Sequence, residues 1–238
     1  MRTADFIYSG SELEGLAGAR NYYRWLLRRF SPYVGADVVE IGAGTGTFSE
    51  FLLSLPQVKR LKAIEPSANN FPILSQRLAR EPRATAVKGY LEDSAGPAST
   101  DSIVAVNVLE HIEHDEEFLQ RLFDVSRPGG TLLLFVPAVP AIFGSLDAAF
   151  EHFRRYTRPS LRALLERAGW HIEKLEYMNL PGILPWFVAG KVLGWTSIGG
   201  REARLYDRLV VPIAAAIEDR VKAPIGQSLI AIARKNVA

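Results

Sequence analysis

From Asp37 to nearly the end of the chain, short apolar runs of β type alternate with stretches whose apolar residues recur at helical spacing. Leu13, Leu16 and Ala17, followed by Tyr23, Leu26, Leu27 and Phe30, predict a helix over 11–30 that Ser31-Pro32 ends. The run Asp37–Ile41 predicts a first strand, breaking into a glycine-rich turn and a helix from about Phe48 to Leu55. Further strands are predicted at Arg60–Ile64, Thr85–Lys88, Ser102–Val106, Thr131–Val136, His171–Tyr177 and Ser228–Ala233. Helices are expected over Ala68–Arg80 and Asp115–Val125, the second closed by Arg127-Pro128-Gly129-Gly130 as a stop and turn. Another opens at Thr157-Arg158-Pro159-Ser160 and ends at Gly169, with proline early and glycine late. Strands alternating with helices imply an α/β fold: a parallel sheet covered on both faces.

The stretch from Met178 to Gly226 departs from this alternation. It mixes Pro/Gly-rich apolar sequence with an amphipathic helix around Glu202–Val211, which Pro212 interrupts or follows with a new one. A structureless loop of that length is against expectation, so a helical cap over the sheet's carboxyl edge is predicted.

Composition narrows the function classes. Of 238 residues, 48% are hydrophobic and 23% charged, enough apolar material for a sizeable core. The 28 basic and 26 acidic residues nearly cancel, which gives no reason to expect a nucleic-acid partner. The absence of cysteine excludes disulfides, thiolate metal sites and cysteine nucleophiles. The start lacks a signal peptide's apolar core, and the most apolar stretch, Leu180 to Gly199, carries Pro181, Pro185 and Lys191. No transmembrane segment is expected, and a cytoplasmic protein is the default.

The chemistry concentrates at Glu40-Ile41-Gly42-Ala43-Gly44-Thr45-Gly46, directly after a β run and before a helix, where glycines let the backbone turn and approach a ligand. The dinucleotide fingerprint GxGxxG would place its third glycine at Thr47; here the spacing is GxGxG, preceded by an acid. Glu40 is awkward beside a pyrophosphate but tolerable beside an ammonium group. Glu65, at the end of the second strand, could accept both hydroxyls of a ribose.

These motifs resemble the class I (Rossmann-like) S-adenosylmethionine (SAM)-dependent methyltransferases, specifically the methyltransferase type 11/12 group. Val39–Gly46, Glu65, Asn107-Val108-Leu109-Glu110-His111-Ile112 and Arg127–Gly130 carry the resemblance. It implies a seven-stranded sheet, mostly parallel with an antiparallel last strand, and SAM as cofactor with S-adenosylhomocysteine as product. It also implies that Gly42, Ala43, Gly44 and Gly46, with Glu40, line the methionine portion and that Glu65 with Pro66 meets the ribose. Gly89-Tyr90-Leu91-Glu92-Asp93 would face the adenine, with Tyr90 where many relatives have aspartate, so that Glu92 or Asp93 would supply the acid. Asn107 would sit beside the sulfonium, and Asn21-Tyr22-Tyr23 resembles a helix that closes over the cofactor, placing Tyr22 in the cofactor set.

The chain then divides into one methyltransferase domain, 1–238: a helical lid (1–35), a Rossmann-like core (36–177 and 227–238) and a cap insertion (178–226). Methyl transfer needs alignment and exclusion of water, and a base only if the acceptor must lose a proton. His111, His114 and His152 are the candidate bases; His111, His152 and Tyr156 are the catalytic candidates. Arg154 and Arg155, in Asp147–Tyr156, could bind an anionic acceptor or fix the loop through Glu151 or Asp147. No metal is expected, because Glu110, His111 and His114 are not completed by a compact ligand spacing. The apolar residues Ile183, Leu184, Trp186, Phe187, Val188 and Trp195 point to a small-molecule acceptor with an apolar, even lipid-like, portion. A non-catalytic SAM-binding protein and a nicotinamide-dependent oxidoreductase are the rival readings.

Overall fold

The computed structural model describes residues 6–8, 18–91 and 100–237. Seven strands, β1 (Asp37–Ile41), β2 (Arg60–Glu65), β3 (Ala84–Lys88), β4 (Thr100–Val106), β5 (Ser126–Pro137), β6 (His171–Met178) and β7 (Ser228–Arg234), form one sheet. Their order is β3-β2-β1-β4-β5-β7-β6. The pairs among β1 to β5 are parallel, while β7 runs antiparallel to both β5 and β6.

Alternate residues of each central strand face opposite sides, and each side has its own core. Val38, Val104, Leu133, Phe135, Ile230 and Ile232 pack against α1 (Arg20–Phe30) and α2 (Thr47–Leu53), whose Trp25, Leu26, Phe30, Phe48 and Leu52 are buried. Val39, Ile41, Ile103, Ala105, Leu132, Leu134 and Val136 face the other core. There they meet α4 (Asp115–Val125) and α6 (Arg158–Arg167) through Leu119, Leu122, Leu161, Leu165 and Trp170. Burial on both faces is why these strands read as nearly continuous apolar runs. The remaining outer helix, α3 (Phe71–Leu78), packs beside β3.

Two boundaries differ from the sequence pattern. The helix expected over 11–30 is described from Arg20; its residues 11–17 lie outside the described residues. Arg127–Gly130 is not a free turn but the opening of β5, with a register shift opposite Thr100 and Ser102. Main-chain bonds hold it there: Gly129 N–H donates to Lys235 O (2.8 Å), and Lys235 N–H to Gly130 O (2.9 Å). Gly129 supplies the left-handed φ of +76° that lets the chain turn into the sheet.

Between β5 and β6 lie α5 (Ser145–Ala149) and α6; between β6 and β7 the chain folds into short helices. These are α7 (Ile183–Phe187), a π turn over 188–192, α8 (Gly200–Leu209) and α9 (Val211–Glu218), the last beginning at the Pro212 turn. They sit at the carboxyl edge of the sheet and are tied to α1. Ala19, at the N-terminus of α1, has no capping side chain. Asp207 of α8 supplies one, accepting the N–H groups of Asn21 (3.1 Å) and Tyr22 (2.8 Å). A carboxylate at a helix N-terminus satisfies orphan donors and meets the positive end of the dipole.

Candidate active site

The glycine loop leaves β1 at its carboxyl end and feeds α2. Gly42, Gly44 and Gly46 all have left-handed φ values, +64°, +56° and +82°. A β-carbon on Gly42 would stand 2.6 Å from Val108 Cγ2, and one on Gly46 2.8 Å from Leu74 Cδ1. The loop thus needs glycine for conformation at all three positions and for space at two. Such a turn, with backbone N–H groups ahead of a helix, is a cradle for a polar ligand.

Two buried acids brace it. Glu40 Oε2 accepts from Ser49 Oγ of α2 at 2.5 Å. Glu65 accepts the N–H of Gly44 (2.7 Å) at one oxygen, and the N–H (3.0 Å) and hydroxyl of Ser67 at the other. The sequence suggested an acid open to two ribose hydroxyls; Glu65 instead has both oxygens engaged within the chain. Pro66 lies between these partners. Tyr90 is exposed and Leu91 buried, while Glu92 and Asp93 lie outside the described residues.

Asn107, at the end of β4, has φ +53° and is held by its N–H to Phe135 O (2.8 Å). It opens onto a cavity of about 300 Å³. On the sheet side the cavity is walled by Tyr22, Phe135 and Ser228, on the cap side by Pro185, Trp186, Trp195 and Tyr206, and Leu146 and Phe150 come from α5 and the loop after it. Its volume is at the lower end of small-ligand pockets, and mostly apolar walls with a few convergent polar groups are their usual make-up. Gly42 to Gly46 and Glu65 do not line it, so loop and cavity are neighbouring compartments with Asn107 at the edge of the second.

A family model described as a methyltransferase domain matches residues 16–175. The chain belongs to the class I SAM-dependent methyltransferases. It is 30% identical over 142 residues to a Mycolicibacterium smegmatis protein named "probable S-adenosylmethionine-dependent methyltransferase", covering 58% of this chain and 53% of that one. It is 26% identical over 113 residues to the mitochondrial ubiquinone biosynthesis O-methyltransferase of Schizosaccharomyces pombe, 46% of this chain and 40% of the relative. The chain therefore spans about half or less of these relatives. A SAM-dependent methyltransferase of Thermotoga maritima superposes with TM-score 0.62 at 17% identity over 94% of both chains. A Haemonchus contortus phosphoethanolamine N-methyltransferase does so with TM-score 0.62 at 17% identity, over 91% of this chain and 52% of that one.

In this methyltransferase the polar end of the cavity is built around Asp147 of α5. Its side chain is fully buried and accepts from His152 Nδ1 (3.0 Å), Arg155 Nε (2.6 Å), Trp186 Nε1 (3.1 Å) and the Gly144 N–H (3.0 Å). Burial alone would raise the pKa of Asp147; its bonds to His152, Arg155 and Trp186, with the Arg155 charge, outweigh that and hold it below the ordinary carboxylate range. The Arg155 guanidinium also donates to Ala138 O (2.8 Å) and lies 4.8 Å over the Trp186 ring. The structure thus joins His152, Arg155 and the cap through one carboxylate.

His111 and His152 meet edge to face, ring centroids 4.8 Å apart, and both line the cavity with Glu110. Burial pushes His111 down to about 4, the neighbouring His152 adds to the shift, and a hydrogen bond to the Glu151 backbone opposes it. Burial pushes the Tyr22 hydroxyl up to about 12, against hydrogen bonds with Ser228 and Asn179.

Three residues named from the sequence are held by partners within the chain. Tyr156 is buried with its hydroxyl on Asp115 Oδ2 (2.9 Å) and Leu109 O (3.2 Å) and does not line the cavity; burial and Asp115 raise its pKa. It braces the turn after β4. Arg154 is turned outward, paired with Asp115 (2.9 Å) and donating to Glu113 O (2.8 Å). Arg155 reaches the cavity wall, but its charge is matched by Asp147. His114 is exposed. What sequence reasoning missed is the role of Asp207: the amphipathic helix around Glu202–Val211 was expected, but not that its carboxylate would cap α1.

Burial also pushes Glu40 up to about 8, with Glu65 adding and Ser49 opposing. The folded state then holds this proton up to about pH 8, whereas the unfolded chain releases it near 4.5. Its contribution to stability is complete below the lower value and is lost as pH rises to the upper one. Glu40→Gln should flatten that part of the profile, narrowing the difference in Tm between pH 5 and pH 8. Parallel profiles for variant and parent would refute the assignment.

Proposed function

We propose that this methyltransferase transfers a methyl group from SAM to a small-molecule acceptor with an apolar body and one polar end, bound in the cavity beside Asn107. The observation that carries the reading is the juxtaposition of the two compartments. The glycine loop fits a cofactor, since its three left-handed glycines present main chain only and two buried acids brace it. Gly42, Ala43, Gly44 and Gly46, with Glu40, would hold the methionine end, Glu65 with Pro66 would shape the ribose end through its bonds to Gly44 and Ser67, and Tyr90 and Leu91 would face the adenine. When bound, SAM supplies an electrophilic methyl carbon on its sulfonium. Asn107 and Tyr22, at the cavity's sheet side, would orient the acceptor toward it, while Trp186, Trp195 and Phe150 exclude water.

The acceptor is read as uncharged or nearly so, because Arg154 and Arg155 already meet Asp115 and Asp147. That is a change from the anionic acceptor the arginines first suggested. An apolar body agrees with the walls, and the ubiquinone biosynthesis O-methyltransferases among the relatives lend support to a ring-bearing molecule. No helix among the described residues is long and apolar enough to cross a membrane.

Calorimetry should show SAM and S-adenosylhomocysteine binding and no NAD binding, and a screen with labelled SAM should find an apolar acceptor. Glu65→Ala should weaken SAM at least about tenfold, near 1.4 kcal/mol, through the lost Gly44 and Ser67 contacts. Binding of NAD in place of SAM would overturn the reading.

A further inference from the structure

We propose that Glu110, His111 and His152 form a binding site for one divalent first-row transition ion at the polar end of the cavity. Each residue offers one ligand atom, and the three atoms all lie within 4.8 Å of one another. Glu110 and His111 end the turn after β4, and His152 arrives from the loop after α5, so only the folded chain brings the set together. That is why the Glu110, His111 and His114 spacing looked incomplete in the sequence: the third ligand is His152, not the exposed His114. Two imidazoles and a carboxylate form a set that suits zinc, cobalt or iron and leaves positions open for other ligands.

Both histidines are already oriented as ligands are. A metal-bound histidine usually gives its second ring nitrogen to a carboxylate or a backbone carbonyl. His152 Nδ1 is engaged by Asp147 Oδ1 at 3.0 Å, which leaves Nε2 for an ion. His111 is engaged by the backbone of Glu151. Glu151 itself has φ +61°, a left-handed conformation that is strained for a non-glycine residue. Such strain collects where a backbone group must be aimed. Ligand atoms around a tetrahedral ion with bonds of about 2.1 Å stand about 3.4 Å apart, so side-chain rotation must close the widest pair by up to about 1.4 Å.

All three residues line the cavity, so the open positions face the acceptor. The ligand expected there is an oxygen of the acceptor, a phenolic or other hydroxyl, which the ion would hold and polarise. This use of the ion rests on the methyl-transfer reading; the binding of the ion does not.

Cobalt titration of the untagged full chain, stripped with a chelator, tests it. One Co²⁺ per chain should bind with a visible ligand-field spectrum, and Zn²⁺ should displace it. Glu110→Gln and His152→Gln should each weaken Co²⁺ at least tenfold, whereas His171→Gln, on the exposed start of β6, should not. X-ray absorption of the zinc-loaded wild-type protein should show two imidazole ligands, a readout that does not depend on how well a variant folds. No stoichiometric ion, or a zinc shell without imidazole, overturns the site. SAM calorimetry on metal-free protein separates the two readings. SAM binding without a cobalt site removes only the metal inference, and a cobalt site without SAM binding removes only the methyl-transfer reading.

Discussion

Asp147→Ala should cost about 3–5 kcal/mol of folding stability, the range for removing one partner of a buried ion pair. Asp147 and Arg155 have side-chain exposures of 0% and 1%, and they meet at 2.6 Å. Deleting the carboxylate leaves a guanidinium in the interior, together with the N–H groups of Trp186 and Gly144 that lose their acceptor. Urea unfolding should show the loss as a lowered midpoint at an unchanged slope. The double variant Asp147→Leu, Arg155→Met removes both charges and should recover most of the stability, since replacing a buried pair by apolar residues is often neutral. It should not recover the orientation of His152, so turnover stays low while the fold returns. A single variant that loses less than about 1 kcal/mol would show that the pair contributes nothing of this kind.

Gly42→Ala should weaken SAM by more than tenfold for two separable reasons. Its φ of +64° disfavours any side chain by about 1–2 kcal/mol. The added methyl would also stand 2.6 Å from Val108 Cγ2, against an ordinary carbon contact of about 3.5–4.0 Å. Val108 is short and β-branched, so it has little freedom to withdraw. Val108→Ala in the same chain should relieve the steric part and leave the conformational part, restoring some but not all of the affinity by calorimetry. Full recovery would mean that the backbone conformation at residue 42 does not matter, and no recovery that Val108 is not the obstacle.

What could be read from the chain follows its sequence distance. The strands showed as apolar runs because both faces of β1, β4 and β5 are covered, and the glycine loop showed because its residues are consecutive. The antiparallel β7 came from resemblance, not periodicity, and the order of the strands is visible only in the fold. Side-chain direction was the harder matter. Arg154, Arg155 and Tyr156 are neighbours in sequence, yet the first faces outward, the second faces Asp147 and the third reaches back under Asp115. Residue types in a run predicted polar chemistry there, and only the fold assigned each one its partner. Arg127–Gly130 misled for a related reason: proline and glycine mark a turn, but the partner main chain at Lys235 decides whether it joins the sheet.

The long-range cap on α1 has a consequence for how the molecule is assembled. An isolated helix of 11 residues is marginal in water, and this one begins at an alanine with no capping side chain. The carboxylate that completes it belongs to residue 207, 185 positions from Tyr22. During synthesis α1 is made before any other helix described here, yet it must wait for nearly the whole chain to acquire its first-turn acceptor. The earliest of the described helices is therefore among the last to be fixed, and closing it completes the wall that Tyr22 gives to the cavity.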